Sequence, residues 1–280
     1  MTIPPKRTIR TALVTGASSG IGLEMSRLLA RDGARVVMVA RDDERLRRAA
    51  RWVQAENPGA GVTTIASDLS RPGAAAELYA RATREVDPID LLVNNAGVGS
   101  FGPFAAAAVE TQIDMLRLNM ESVVALTHLA LRDMLARRQG MILNVASMAA
   151  FQAGPFMAVY YATKAFVLSF SEALGEELQD SGMTVTALCP GPAVTGFGAR
   201  AGMDGSRVFS GLLRMEAAAI AAEGYRGALL ARRLVIPGFT NRVMVQALRL
   251  LPRRLVSRIV RHVNTPGLPP TANGGGGGRS

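Results

Sequence analysis

The chain has 280 residues, 49% of them apolar, and a single cysteine; that suits one large α/β domain or two small ones and excludes a disulfide framework. With His128 and His262 as the only histidines, no Cys/His cluster exists for zinc and no metal is expected. The net charge is +10, yet ten arginines and no acidic residue follow Glu223, so the basicity belongs to the C-terminal fifth and argues against a nucleic-acid-binding body.

Near the N-terminus, Ala12 to Thr15 is too short for the apolar core of a signal peptide, and no apolar run reaches membrane-spanning length; a cytoplasmic location is expected. Thr11 to Thr15 predicts a short strand, and Gly16-Ala17-Ser18-Ser19-Gly20-Ile21-Gly22 follows at once. Glycines so spaced let the backbone turn tightly and approach a pyrophosphate at the N-terminus of a helix, here about Ile21 to Arg31. A plain strand-to-helix turn is the alternative. Arg35 to Ala40 is nearly continuously apolar, as a strand buried on both faces should be. At its end, where NAD-binding folds place an acid for the ribose hydroxyls, stands Arg41, which suits a 2′-phosphate. Asp42 and Asp43 could reach the ribose instead, but capping the helix through Leu46, Ala49, Ala50 and Val53 is the favoured role.

Val62 to Ala66 gives a third strand, followed by Asp68-Leu69, a helix from about Gly73 to Val86, a fourth strand from Ile89 to Val93, and Asn94-Asn95-Ala96-Gly97. This alternation indicates an α/β, Rossmann-type doubly wound parallel sheet of about seven strands with helices on both faces. A long helix from about Val109 to Arg137 carries Asn119 in its middle, a poor choice unless a kink or a buried polar contact requires it. Met141 to Ala146 delivers Ser147 to the sheet edge where open α/β folds bind ligands, although a turn or cap serine would look the same.

Tyr160-Tyr161-Ala162-Thr163-Lys164 comes next. Every basic residue except Lys6 and Lys164 is Arg, and an ammonium is a compact, tunable charge where a guanidinium is not. Tyr160 shares a helix face with Lys164, so the phenol could be biased toward phenolate and serve as acid and base at neutral pH. An ordinary buried Tyr beside a solvated Lys is the bland reading.

Thr15 to Gly22, Asp68, Asn94-Asn95-Ala96-Gly97, Asn119, Ser147, Tyr160-x-x-x-Lys164 and Pro190-Gly191 together resemble the short-chain dehydrogenase/reductase family in order and spacing, over about Thr8 to Val235. The resemblance implies an NAD(P)-dependent oxidoreductase passing a hydride between NADP(H) and a carbonyl or secondary alcohol. Tyr160 would be the general acid or base, Lys164 would lower its pKa and hold the nicotinamide ribose, Ser147 would bind the substrate oxygen, and Asn119 would hold a water linking Lys164 to solvent. The pattern assigns Gly16, Ser18, Ser19, Gly20 and Ile21 to the pyrophosphate loop, and Asp68 and Leu69 to adenine. It assigns Asn95, Ala96 and Gly97 to the adenosine ribose, and Pro190, Gly191, Ala193 and Thr195 to the carboxamide and phosphates. Arg41 resembles the basic residue of NADP-preferring members, whereas Ser19 stands where many of them carry a second one; NADP(H) is favoured over NAD(H). Homodimers and homotetramers are usual in the family.

Met148, Phe151, Phe156, Met157, Gly99 to Phe104 and the Phe197 to Phe209 loop are pocket candidates, and their apolar character suggests a hydrophobic substrate. Ala228 to Ile236 should finish a catalytic domain of residues 1–238 with a helix and a seventh strand. Residues 239–264 form a basic extension in which Met244, Leu248, Leu251, Leu255 and Ile259 recur at helical spacing and Pro252 imposes a break. It could dock on its own domain, clamp over the pocket, pack on a second subunit or contact a membrane surface peripherally. Residues 265–280, rich in Gly and Pro, read as disordered. The competing function is a non-catalytic dinucleotide-binding or membrane-docking scaffold; the Asn119, Ser147, Tyr160 and Lys164 set argues against it.

Overall fold

A parallel strand needs crossover helices on both faces, so its side chains must be apolar at both parities. The computed structural model describes residues 8–86, 88–194, 198 and 214–265, and its central strands are buried at both parities. In order, β1 (Thr11–Thr15), α1 (Gly20–Arg31), β2 (Arg35–Ala40), α2 (Asp43–Glu56), β3 (Val62–Ala66), α3 (Ala74–Glu85) and β4 (Leu91–Asn94) form the first half. The second half holds α4 (Val109–Leu116), α5 (Ser122–Ala136), β5 (Gly140–Val145), α6 (Ala158–Glu177) and β6 (Met183–Leu188). A short ladder of β7 (Ala193–Val194) and β8 (Met215–Glu216), α7 (Ala217–Leu229) and β9 (Leu234–Val235) complete the described body, and α8 (Phe239–Leu250) and α9 (Arg253–Asn264) follow.

The seven-stranded sheet runs β3-β2-β1-β4-β5-β6-β9 and is parallel throughout. Ala12, Val14, Val36 and Met38 face α1, α2 and α7 through Met25, Leu29, Leu46, Ile220 and Tyr225. Leu13, Val37, Val39 and Leu92 face α3 and α5 through Leu78, Tyr79, Leu126 and Met134. The chain leaves β1 toward β2 and β3, then returns to the other side of β1 at β4. That reversal opens a crevice above the C-terminal strand ends, the place where such sheets bind ligands.

Two details depart from the sequence reading. The helix expected from Val109 to Arg137 contains a π-helical segment, Arg117–Glu121, between α4 and α5. There the Asn119 side chain bonds backbone and hydroxyl groups outside the helix, and Ser122 Oγ donates to Leu118 O at 2.6 Å. Insertions of this kind occur frequently at functional sites. The β7–β8 ladder was not expected at all. At the C-terminus, Pro252 separates α8 from α9, and Val256 and Val260 bury against Ala149, Met157 and Tyr161. The extension therefore docks on its own domain. Thr195, the Phe197 to Phe209 loop apart from Gly198, and residues 266–280 lie outside the described residues.

Candidate active site

The glycine loop links β1 to α1. Gly16 and Gly20 have φ of +66° and +56°, conformations that a Cβ would strain. Gly22 is held by contact instead: a Cβ there would lie 2.5 Å from both Gly16 O and Asn95 Nδ2. Asn95 stitches the loop to the end of β4, its Nδ2 donating to Thr15 O at 2.9 Å and Gly16 O at 3.2 Å. Thr15 Oγ1 accepts from the amides of Asn95 and Ala96, each at 3.0 Å. Ser19, the N-cap of α1, makes no side-chain cap bond, so the first-turn amides keep their donors for a phosphate.

At the end of β2, Asp42 caps α2 by accepting from Arg45 N at 2.9 Å, and Asp43 pairs with Arg47 at 2.8 Å. Both acids act on their own helix, as expected, and the exposed Arg41 is left facing Asp68. Burial alone would raise the Asp68 carboxyl; bonds from Ser70 and the charges of Arg41 and Arg71 outweigh it and hold it below the usual range.

Four residues at the centre meet through three elements. Lys164 is buried on α6, with Nζ 2.9 Å from Val145 O and 5.8 Å from the Tyr160 ring centre. Desolvation pulls its pKa from 10.5 to about 8. Ser147 hydrogen-bonds the half-buried Tyr160, and its Oγ also accepts from Ala149 N at 3.1 Å. Burial pushes the Tyr160 phenol up to about 12, with the Ser147 bond acting in the opposite direction. The direction is opposite to the expected bias toward phenolate: the ammonium donates to the Val145 carbonyl, and desolvation of the phenolate outweighs the Ser147 bond.

Asn119 supports this group from the π segment. Its Oδ1 accepts from Val98 N at 3.0 Å, and its Nδ2 donates to Val98 O at 2.9 Å and Thr163 Oγ1 at 3.1 Å. A Cβ on Gly97 would sit 3.2 Å from Asn119 Oδ1 and 3.5 Å from Lys164 Nζ, so glycine lets the two side chains converge there.

A cavity of about 880 Å³ joins these parts. Gly16, Ser18, Ser19, Gly20, Ile21, Arg41, Asp68 and Leu69 line it, as do Asn95, Ala96 and Gly97. Ser147, Tyr160, Lys164, Pro190, Gly191 and Ala193 line it too; Asn119 stands behind the wall, and Thr195 is outside the described residues. Among the pocket candidates, Gly99, Met148 and Met157 reach the cavity. Phe151 and Phe156 do not: Phe151 lies under the Arg249 guanidinium at 5.9 Å, and Phe156 pairs with Phe101 at 6.3 Å. In their place α8 and α9 contribute Met244, Leu248, Ile259, Val260 and Asn264. Asn264, fully buried, donates from Nδ2 to Pro155 O at 2.9 Å and adjoins Tyr161. The helical spacing of Met244, Leu248 and Ile259 was visible in the sequence, but not the surface they would meet.

A family model described as short chain dehydrogenase matches residues 10–204. The chain belongs to the short-chain dehydrogenase family. Membership makes it an NAD(P)-dependent oxidoreductase of Rossmann type. It is 34% identical over 184 residues to the ketoacyl reductase HetN of a Nostoc strain, covering 66% of this chain and 63% of that protein. Mouse 17-beta-hydroxysteroid dehydrogenase type 3 is 36% identical over 184 residues, with 64% and 58% covered. The chain thus matches about three fifths of the length of these two relatives. Among solved structures, a short-chain dehydrogenase from Sphingobium yanoikuyae in complex with NADPH is 34% identical, with a TM-score of 0.76 over 86% of this chain and 92% of that one.

Proposed function

We propose that the protein is an NADP(H)-preferring enzyme that interconverts a hydrophobic ketone and its secondary alcohol. The observation that carries this reading is the Ser147–Tyr160 hydrogen bond lying in one cavity with the glycine loop and Arg41. A phenol held near 12 keeps its proton at neutral pH, as a general acid for a carbonyl oxygen must. Ser147 offers the same oxygen a second donor, so charge developing on it meets fixed dipoles. Gly16 and Gly20 hold the left-handed turns and Gly22 allows the close approach of Gly16 O and the Asn95 amide, a loop shape that leaves the first-turn amides of α1 open to a pyrophosphate, so the residues present fit the dinucleotide. Ser18, Ser19 and Ile21 would hold its phosphates, Asp68 and Leu69 its adenine, and Pro190, Gly191, Ala193 and Thr195 its nicotinamide half. When bound, the nicotinamide supplies or takes up the hydride. Lys164 would hold the ribose hydroxyls, and Asn119 would position α6 and the β4 loop around it.

Arg41 is assigned to the 2′-phosphate, since Asp42 and Asp43 are committed to α2. The relatives' names, a ketoacyl reductase and a hydroxysteroid dehydrogenase, support a carbonyl on an apolar skeleton, and Met148, Met157, Leu248 and Val260 supply an apolar wall for it. The reading includes a cytoplasmic homo-oligomer formed through the exposed Ile113 and Val124 on α4 and α5, which light scattering can check. The cofactor claim is tested by titrating the protein's fluorescence with NADPH and with NADH. NADPH should bind at least about tenfold more tightly, as one charge-assisted phosphate contact allows, and Arg41→Ala should remove most of that gap. Tighter NADH binding would overturn the assignment.

A further inference from the structure

The α8–α9 corner carries exposed apolar and basic side chains, most of them outside the cavity lining. Leu250, at the end of α8, is 87% exposed, and Phe239 at its start is 77% exposed. On α9, Leu255, Ile259 and Val263 recur every fourth residue as a half-exposed apolar stripe beside the buried Val256 and Val260. Arg254, Arg258 and Arg261 flank that stripe on its solvent side, and Arg253 stands at the corner itself. From Phe239 to Thr265 the chain has six arginines and no acidic residue. Arg242 is held by Glu223 at 3.4 Å, but among the described residues no carboxylate pairs with Arg253, Arg254, Arg258 or Arg261.

From this charge and exposure we infer that the α8–α9 corner is a docking face for an anionic lipid bilayer. Apolar side chains at a corner, ringed by arginines, match an interface whose headgroups are negative and whose interior is hydrocarbon. A second copy of the chain fits poorly, because a two-fold contact here would oppose arginine to arginine. None of the described helices is long and apolar enough to cross a membrane, so the contact is peripheral. Ile259 and Val263 belong both to the exposed stripe and to the cavity lining. The docked face therefore adjoins the cavity, and, if the hydrophobic-substrate reading above holds, a substrate dissolved in the bilayer enters there.

Sedimentation of the full chain with vesicles tests the inference without measuring turnover, so its failure is distinct from failure of the enzymatic reading. The probes are vesicles of phosphatidylcholine alone and of phosphatidylcholine mixed with phosphatidylglycerol. Binding should require phosphatidylglycerol and fall at high salt. An R253S/R254S/R258S variant should partition about a hundredfold more weakly, at about fivefold per arginine. L250S/L255S should also lose partitioning while its NADPH affinity and circular dichroism stay unchanged. Three results would overturn the proposal: no binding to the anionic vesicles, variants that bind like the parent chain, or an L250S/L255S variant that falls to a smaller oligomer in the absence of vesicles. The last would show that a second copy covers the face.

Discussion

Lys164 is the residue whose chemistry and stability pull in opposite directions. Its folded pKa near 8 lies below the ordinary 10.5, so between those values the unfolded chain binds the extra proton. The cost of holding the ammonium in the core is therefore full below about pH 8 and fades as pH rises toward 10.5. Lys164→Met removes that cost together with the bond to Val145 O. Its melting temperature relative to the parent should be most favourable below pH 8 and should decline toward pH 10.5, while turnover is lost. A difference that does not vary with pH would contradict the buried charge. Gly22 makes a second residue-scale case, because a Cβ would meet Gly16 O and the Asn95 amide at 2.5 Å. Gly22→Ala should cost about 1–3 kcal/mol by overpacking and weaken NADPH binding, read by chemical denaturation and titration. The positions of these residues were legible in the sequence. The direction of the Tyr160 shift was not, because it depends on burial and on where the Lys164 amine points, and neither follows from a spacing of four.

Most elements were legible because their signals are local. β1, β2, β3 and β6 fall on the apolar runs that predicted them, and α2 starts after the Asp42 cap. Asp42→Ala should destabilise the protein by about 1 kcal/mol through loss of the cap and leave the ratio of NADPH to NADH affinity unchanged. A marked change in that ratio would return Asp42 to the ribose. The π segment was invisible, since its five residues are too few to show a period of their own. Asn119 alone marked the place, through its poor helix propensity. Asn119→Ala should leave the Val98 amide and carbonyl unpaired, destabilise by about 2 kcal/mol and lower turnover, as measured by denaturation and steady-state kinetics. The β7–β8 ladder, two residues on each strand, is too short to leave a pattern.

At the scale of the whole molecule, the sheet reversal at β1 and β4 places the glycine loop and Tyr160 along one cavity, and the C-terminal helices complete its wall. The sequence supplied the amphipathic spacing of α8 and α9 together with four surfaces that spacing could serve. Choosing among them needs the tertiary packing of Val256 and Val260 on Met157 and Tyr161. If those helices bound the substrate end alone, Leu248→Ala should raise KM for an apolar ketone by about tenfold, the scale of lost methyl contacts in a pocket, with NADPH affinity unchanged. The central claim is that Tyr160 is the proton donor in an NADPH-dependent carbonyl reduction. Its most direct test is single-turnover oxidation of bound NADPH by an apolar ketone, in the parent chain and in Tyr160→Phe. The variant should bind NADPH as the parent does and consume it at least about a hundredfold more slowly. Equal rates would contradict the assignment of Tyr160.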